Sequence, residues 1–330
     1  MLALAAPDKF RGSLGAAEVA RALAAGARRA GWECVELPLA DGGEGTLDAL
    51  GGANRSTEVS GPLGELVEAA WRLDGGVAIV EAARASGLAL AGGAARNDPV
   101  AASTRGTGET IAAALDAGAS TVIVGVGGSA TTDGGLGAVE SLRDRAPFAA
   151  RVLVACDVQT PFLDAARVFA PQKGATPEVV NTLSTRLADL ALRYNVEFGV
   201  DVTRLPGAGA AGGLAGGLAA LGAELVPGFE LVAERVGLDG FLDEAELVLT
   251  GEGRLDATSF EGKVVGSLLD RCERLGLDTL VVAGEIDLAD RRATSMLSLV
   301  ERYGPERAWA EPAACIADVV GEALGWPGRT

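Results

Sequence analysis

Five segments of the chain combine glycine with acids, cations or hydroxyls in patterns that could bind an anionic ligand. They are Ala6–Leu14 (APDKFRGSL), Asp41–Thr46 (DGGEGT), Gly125–Gly135 (GVGGSATTDGG), Pro206–Gly213 (PGAGAAGG) and Thr250–Asp256 (TGEGRLD). Glycine lets the backbone approach a ligand closely and turn N–H groups toward it. The third segment is typical of a phosphate-binding loop that enters a helix. Acids in the second and fifth could orient a hydroxyl or hold a metal.

The absence of histidine restricts the acid–base chemistry. A chain with no histidine has no Ser-His-Asp triad, no H-E-x-x-H zinc site and no histidine base, so carboxylates, lysine or water must move protons. Of 28 basic residues, three are lysine, and these are Lys9, Lys173 and Lys263. Each lies in or beside an unusual segment, where a point charge on a phosphate oxygen would explain it. Chance placement in three exposed loops is the alternative.

Predicted elements of an α/β fold position these segments. Short apolar runs predict strands at Leu2–Ala6, Cys34–Leu39, Thr121–Gly125, Arg151–Cys156, Leu247–Thr250 and Thr279–Ala283. Helical periodicity at Glu18–Ala30 and Gly108–Ala117 predicts crossover helices of a parallel sheet. Alternating runs within Ser56–Ala83 predict antiparallel strands of another layer. Ligands of open α/β sheets bind outside the carboxyl ends of strands, where we expect all five segments to lie.

Each segment also has a structural interpretation, such as a capped helix start or a glycine turn with solvated acids. Pro206–Gly213 contains G-x-G-x-x-G, but Pro206 interrupts the strand that a dinucleotide fingerprint requires, so NAD binding is disfavoured. No G-x-x-x-x-G-K-[ST] sequence occurs, which excludes a Walker-type P-loop.

The composition of the chain disfavours several kinds of binding partner. A formal net charge of −17 disfavours nucleic acids and anionic membranes, and any anion site needs local cations. The uncharged stretch Pro206–Ala223 is too rich in glycine and alanine for a membrane span. Four widely spaced cysteines, and an N-terminus without the basic start of a signal peptide, predict a cytoplasmic protein. The oligomeric state, including a homo-oligomer, stays open.

In chain order, nine motifs resemble those of the bacterial glycerate kinase family of the type-1, glycerate 2-kinase-like kind. They are APDKFRGSL, PLADGGEGTLDAL, EAARASGL, STRGTGETI, GVGGSATTDGG, ACDVQTPF, FAPQKGA, PGAGAAGGLAGGL and LTGEGRLD. The resemblance implies ATP- and Mg²⁺-dependent phosphorylation of D-glycerate, usually at the 2-hydroxyl, in organic-acid catabolism. It implies a Rossmann-like parallel-sheet domain (residues 1–58, 104–145 and 245–330) and a second mixed α/β domain (residues 59–103 and 146–244), with the active site in the cleft.

Roles for individual residues are hypotheses within these motifs. As catalytic groups we expect Asp157, at the end of a strand, with Lys9 and Lys173. The residues expected to bind the substrate are Asp8, Arg11, Ser13, Asp41, Gly42, Gly43, Glu44 and Arg105. Those expected to bind ATP are Gly127, Gly128, Ser129, Thr131, Gly207, Gly209, Gly212, Gly213, Gly251, Gly253 and Lys263. Asp133 and Glu252 are the expected metal ligands.

The sequence departs from the family at three places. Arg11 stands where relatives commonly have lysine, the connector between Leu142 and Arg151 is short, and the stretch after Asp287 matches poorly. Two other functions stay open, and the short connector bears on the second of them. An NAD-linked hydroxy-acid dehydrogenase would share the architecture, and a glycerate-binding sensor would bind the acid without turnover.

Overall fold

A computed structural model describes residues 1–10, 12–288 and 295–325. The strands are β1 (Leu2–Ala5), β2 (Glu33–Glu36), β3 (Arg55–Ser60), β4 (Leu66–Asp74), β5 (Val77–Glu81), β6 (Thr121–Gly125), β7 (Arg151–Ala155), β8 (Glu224–Val226), β9 (Leu247–Asp256), β10 (Asp278–Asp287) and β11 (Met296–Ser298). The helices are α1 (Ala16–Arg29), α2 (Thr46–Ala49), α3 (Ala83–Ser86), α4 (Arg105–Asp116), α5 (Leu136–Leu142), α6 (Ala165–Phe169), α7 (Pro177–Phe198), α8 (Leu214–Ala220), α9 (Gly228–Val236), α10 (Leu238–Glu244), α11 (Val264–Leu275), α12 (Leu299–Tyr303), α13 (Pro305–Ala310) and α14 (Pro312–Ala323). Short 3-10 turns at Arg143–Arg145, Phe162–Asp164, Pro171–Lys173, Val202–Arg204, Ala210–Gly213 and Ala257–Phe260 complete the elements.

The first compact unit contains residues 1–41 and 229–330, as far as they are described. Its five strands are all parallel, in the order β11-β10-β9-β1-β2. α1 buries Val19 and Leu23 against this sheet and packs on α14. A Cβ at Gly26 would lie 2.6 Å from the carbonyl oxygen of Ala317, so glycine permits the two helices to approach closely.

Residues 42–228 form the second unit, around a six-stranded mixed sheet in the order β3-β4-β5-β6-β7-β8. β3, β4 and β5 are antiparallel neighbours, whereas β5 through β8 are parallel. The central strands β6 and β7 are almost wholly apolar, as expected of parallel strands covered on both faces. The core of this unit includes Ile123, Val154 and Leu187.

The predicted α/β class, with one parallel and one mixed sheet, is confirmed. The predicted division of the chain differs from the observed units. Residues 42–58 and 104–145 belong with the mixed sheet, because β3 pairs with β4 and β6 pairs with β5 and β7, whereas residues 229–244 belong with the parallel sheet. Along the described chain no helix combines the length and apolarity needed to cross a membrane.

Candidate functional site

Loops gather at the carboxyl edge of the six-stranded sheet. Glu81, Gly125 and Ala155 end three neighbouring strands in register. The Gly42–Thr46 loop crosses this edge, since Gly42 accepts the N–H of Val126 at 2.9 Å. Gly42 has a φ of +82°, and a Cβ there would lie 2.6 Å from the carbonyl oxygen of Ala155. Only glycine fits this conformation and this contact.

Glu81 holds the Gly42–Thr46 loop in place and was missed by the sequence analysis. Its side chain is buried, and Oε1 accepts the N–H groups of Gly45 at 2.9 Å and Leu47 at 2.7 Å. Oε2 accepts from Arg84 Nε at 3.3 Å. Desolvation raises the pKa of this carboxyl above its usual range. A single acid that ends an apolar strand, in the EAARASGL motif, was the available signal.

The tip of the next loop presents backbone donors. In the part of the chain that the structure describes, the N–H groups of Gly127, Gly128 and Ser129 donate to no protein acceptor. Gly128 has a φ of +69°, a left-handed conformation that turns successive N–H groups toward one anion. Gly127 is required because a Cβ would lie 2.6 Å from Gly43 Cα. This geometry suits a bound phosphoryl or carboxylate group.

Glu44 lies beside this tip. A Cβ at Gly128 would be 3.4 Å from Glu44 Oε2. A carboxylate so close repels a bare anion, so an anion bound here requires a cation as well.

Asp133 does not fit its predicted role as a metal ligand. Its Oδ2 accepts from the Thr104 N–H at 2.9 Å, Thr104 Oγ1 at 2.8 Å and the Gly137 N–H at 3.2 Å. Oδ1 accepts the N–H of Gly135 at 3.1 Å. The buried carboxylate therefore satisfies donors around the start of α5 and joins them to Thr104. We correct its role to a structural one.

Lys173 is buried under the same loop. Its Nζ donates to Ser129 Oγ at 2.9 Å and to the Thr131 carbonyl at 2.6 Å. Asn97, which the sequence analysis did not single out, donates from Nδ2 to the carbonyls of Ala130 (3.0 Å) and Lys173 (2.9 Å). With its side chain enclosed, Lys173 acts on this loop from beneath rather than from an exposed surface.

The glycines at 207, 209, 212 and 213 serve close packing. All four are buried, and a Cβ at Gly212 would collide with the carbonyl of Thr131. The Gly209 and Gly213 N–H groups donate to Thr160 and Gly209 carbonyls. Those two amides therefore cannot serve ATP in this conformation, which contradicts their predicted role. The glycines instead let this segment approach the 131–134 and 158–161 loops.

Two further predicted residues of this unit are engaged in the structure. Asp157 Oδ1 accepts the N–H of Gly228 at 2.7 Å. Arg105 pairs with Glu109 one helical turn later at 3.1 Å and is largely exposed, as a surface ion pair would be. Neither contact tests the predicted function, and both assignments stay predictions.

In the parallel-sheet unit, Asp8 follows β1 and lies beside β9. Its N–H donates to the Gly251 carbonyl at 3.0 Å, and its Oδ1 accepts from the Lys9 N–H at 2.7 Å and lies 3.4 Å from Lys9 Nζ. Burial raises the pKa of Asp8 to about 6, with Lys9 opposing and Asp41 adding to the shift. The structure thus places Lys9, predicted to be catalytic, near Asp8 and Asp41, both predicted to bind the substrate.

Glu252 belongs to a strand rather than to a loop. The strand was predicted to end at Thr250, but β9 continues to Asp256 alongside β10. Gly251 and Gly253 therefore lie within a strand. Gly251 pairs with Val282, and a Cβ at Gly251 would collide with the Val282 carbonyl. This corrects their predicted role as a nucleotide loop.

Glu252 has one carboxylate oxygen that could bind a metal ion. Its Oε1 is buried and has no hydrogen-bond partner among the described residues. Desolvation raises the pKa of Glu252 to about 7, opposed by a hydrogen bond from Ser259. Of the two predicted metal ligands, it is the one that fits, although no cluster of three acidic or sulfur ligands exists within the described ranges.

The remaining predicted residues of this unit lie at turns. Lys263 donates to Thr258 Oγ1 at 2.7 Å and precedes α11. Ser13 donates to the Phe10 carbonyl at 3.1 Å and closes a turn. Arg11, predicted to bind substrate, lies outside the described residues.

Comparison with known proteins decides the family. The model of the glycerate kinase family matches residues 3–146 and 141–323. The chain belongs to the glycerate kinase family.

Named relatives of this family are similar over most of their length. The glycerate 2-kinase of Escherichia coli K12 is 38% identical over 85% of this chain and 84% of its own. A glycerate kinase of Halalkalibacterium halodurans is also 38% identical, with 85% and 84% covered. The crystal structure of a putative glycerate kinase 2 from Salmonella typhimurium LT2 superposes with a TM-score of 0.80 at 34% identity, covering 98% of this chain and 97% of that one.

Membership makes this chain an enzyme of the kinase class, with a small-molecule substrate and a nucleotide phosphate donor. In this glycerate kinase family protein, the Gly127–Ser129 amides are the strongest candidate for a phosphate contact. The acids at positions 8, 41 and 252 form a second candidate region in the other unit.

Proposed function

We propose that the enzyme transfers the γ-phosphoryl group of ATP to the 2-hydroxyl of D-glycerate, forming ADP and 2-phosphoglycerate. The observation that carries the proposal is the loop after β6, where three adjacent N–H groups have no acceptor among the described residues and Lys173 lies beneath them. Phosphoryl transfer requires positioning and charge stabilisation more than covalent chemistry, and this loop supplies both. The similarity to the E. coli glycerate 2-kinase supports the substrate and the position of transfer.

Magnesium belongs to the proposal because of the acids. Glu44 beside Gly128 would repel a bare triphosphate, which a divalent cation would prevent. Mg²⁺ is commonly held by one or two carboxylates together with phosphate oxygens and water. Glu252, whose Oε1 has no hydrogen-bond partner among the described residues, remains the predicted metal ligand.

We retain Asp157 as the acid that orients the glycerate hydroxyl and Lys9 as a cation for the glycerate carboxylate. Asp157→Asn keeps an oxygen that can accept the Gly228 N–H, so it removes the charge while preserving that contact. We expect kcat to fall about 10²- to 10⁴-fold, the usual contribution of a general base. Asp201→Asn is the matched control, since Asp201 likewise accepts a nearby N–H, that of Thr203 at 3.1 Å. Near-normal turnover of Asp157→Asn would remove Asp157 from this role.

The proposal places the reaction in the cytoplasm, in the breakdown of organic acids. The four cysteines are free, as in a reducing compartment. The alternative of NAD chemistry has no supporting observation, because the G-x-G-x-x-G glycines are engaged in packing.

The decisive experiment follows ADP release from Mg-ATP with D-glycerate and passes the product directly to enolase. Immediate consumption by enolase establishes phosphorylation at the 2-hydroxyl. A requirement for added phosphoglycerate mutase would mean phosphorylation at the 3-hydroxyl. Stabilisation of the fold by glycerate without ADP release would indicate a sensor and overturn the proposal.

A further inference from the structure

Lys173 is a buried amine fixed in position from two sides. Its side chain lies beneath the loop, with Nζ 2.9 Å from Ser129 Oγ and 2.6 Å from the Thr131 carbonyl. Its backbone ends a 3-10 turn, and its carbonyl accepts from Asn97 Nδ2. The next residue, Gly174, has a φ of +95°, and a Cβ there would collide with the Ala94 carbonyl. The amine is therefore held against the loop with little freedom to move.

No carboxylate within the described ranges forms an ion pair with Lys173. Asp133 is the charged group that acts on it, and its oxygens are occupied by the donors of Thr104, Gly135 and Gly137. Other charged groups on the surrounding segments are Glu44 beside Gly128, Arg96, Asp98 (bonded to the Val100 and Ala101 N–H groups), the Asp164–Arg167 pair and Glu178.

An amine that is buried without a counter-ion favours its neutral form. Desolvation lowers the pKa of Lys173 to about 7, with Asp133 partly opposing the shift. Near neutral pH the ligand-free protein therefore contains both forms. The two acceptors on Ser129 and Thr131 match the two N–H bonds of a neutral amine, so the same contacts serve both forms.

We propose that Lys173 supplies the counter-charge for a phosphoryl group bound by the Gly127–Ser129 amides and takes up one proton as that group binds. This rests on the proposed function of the loop. Ser129 connects the amide site to Lys173, because its N–H has no acceptor among the described residues and its hydroxyl accepts from Lys173. The step converts the neutral amine and a proton from solvent into an ammonium ion, and no bond of the nucleotide changes.

The amount of proton uptake that accompanies phosphate binding follows from the negative charge of the bound group. An anion within about 4–6 Å favours the charged form of an amine by about 1–3 pKa units. With a shift of about two units, binding at pH 8 takes up about 0.8 proton. The affinity for the nucleotide should then weaken about 10- to 30-fold between pH 7 and pH 9.

The test is calorimetric titration of the full chain with Mg-ATP, without glycerate, at pH 8 in buffers of different ionisation enthalpy. The slope of observed enthalpy against buffer ionisation enthalpy measures the protons taken up. We expect about 0.8 proton for the wild type, from the linkage above. Lys173→Met should show close to none, and Lys173→Arg, with a permanently charged side chain, should bind without uptake.

Each outcome separates the claims. Normal binding of Mg-ATP with no proton uptake overturns the proposal and leaves the proposed function standing. Undiminished uptake in Lys173→Met assigns the proton to another group and also overturns it. If Lys173→Met fails to fold, the pH dependence of wild-type affinity and the Lys173→Arg variant still decide. Absence of Mg-ATP binding at any pH overturns the proposed function and this proposal together.

Discussion

Replacing Glu81 should weaken the second unit more than its single position suggests. In Glu81→Ala, the N–H of Leu47 stays buried but loses its acceptor, and the half-buried N–H of Gly45 loses its own. An unsatisfied buried donor costs about 1–3 kcal/mol, and the lost hydrogen bond of Gly45 adds about 0.5–1.5 kcal/mol. Burial of the Glu81 carboxylate itself costs free energy, as its raised pKa indicates. Removing the carboxylate relieves this desolvation and offsets part of the loss in stability. We expect a loss of about 2–3 kcal/mol in the free energy of unfolding.

Two matched variants separate the contributions. Glu81→Gln retains an oxygen for the two N–H groups, so it should cost about 1 kcal/mol or less. Arg84→Gln removes the cation that pairs with Glu81 Oε2. Because the Arg84 side chain is partly exposed, this change should lower the free energy of unfolding by about 0–1 kcal/mol. If the backbone contacts dominate, the alanine variant is the least stable of the three.

Urea unfolding measures these differences in a background that reports on the second unit. Trp71 is buried in that unit, so replacement of Trp32, Trp309 and Trp326 by phenylalanine leaves its fluorescence as the signal. Amide hydrogen exchange at Leu47 provides an independent reading, since its protection should fall in Glu81→Ala. A stability within about 0.5 kcal/mol of the wild type would refute the reasoning, because surface substitutions without such contacts fall in that range.

Three other predictions follow from the described contacts. Gly42→Ala should lower stability more than Gly118→Ala, because both glycines have positive φ but only a Cβ at Gly42 would lie 2.6 Å from a carbonyl oxygen. Calorimetry should therefore give a lower Tm for Gly42→Ala. Equal losses of Tm in the two variants would contradict the steric argument. The folded pKa of Lys173, about 7, is depressed, so its unfolded form binds more protons between pH 7 and the usual 10.5. Stability of the wild type relative to Lys173→Met should therefore rise with pH by up to about 1.4 kcal/mol per unit in that window, and a flat difference in urea unfolding would count against the shift. Asp133→Asn should cost about 2–4 kcal/mol, because its amide cannot accept all four donors at the start of α5; unchanged urea midpoints would show that the donors find other acceptors.

Elements with strong local patterns were predictable from the sequence. β6 and β7 are apolar runs bounded by glycine or polar residues, and α1 has clear helical periodicity. β9 was predicted too short because Gly251 and Gly253 interrupt its apolar pattern. The continuation of β9 through these glycines depends on its pairing with β10, where a Cβ at Gly284 would lie 2.4 Å from the Gly253 carbonyl oxygen, and no local pattern reveals that partner.

Side-chain roles were less predictable because one residue type serves several purposes. The glycines of Gly207–Gly213 would give the same sequence pattern whether a ligand or another loop packed against them. In the structure, other loops pack against them. An acid beside a glycine loop, such as Asp133, could bind a metal or satisfy N–H groups. The division into units depends on β1 pairing with β9, which is a long-range choice.

That pairing has a consequence for synthesis on the ribosome. β1 and β2 emerge early, but β9, the other neighbour of β1, is made only after residues 42–228. At about 5–20 residues per second, this interval lasts on the order of 10–40 s. The second unit is then complete while the first 41 residues still lack most of their sheet. The nascent chain therefore carries an unfinished apolar sheet edge in residues 1–41, where chaperone binding during translation would have most effect.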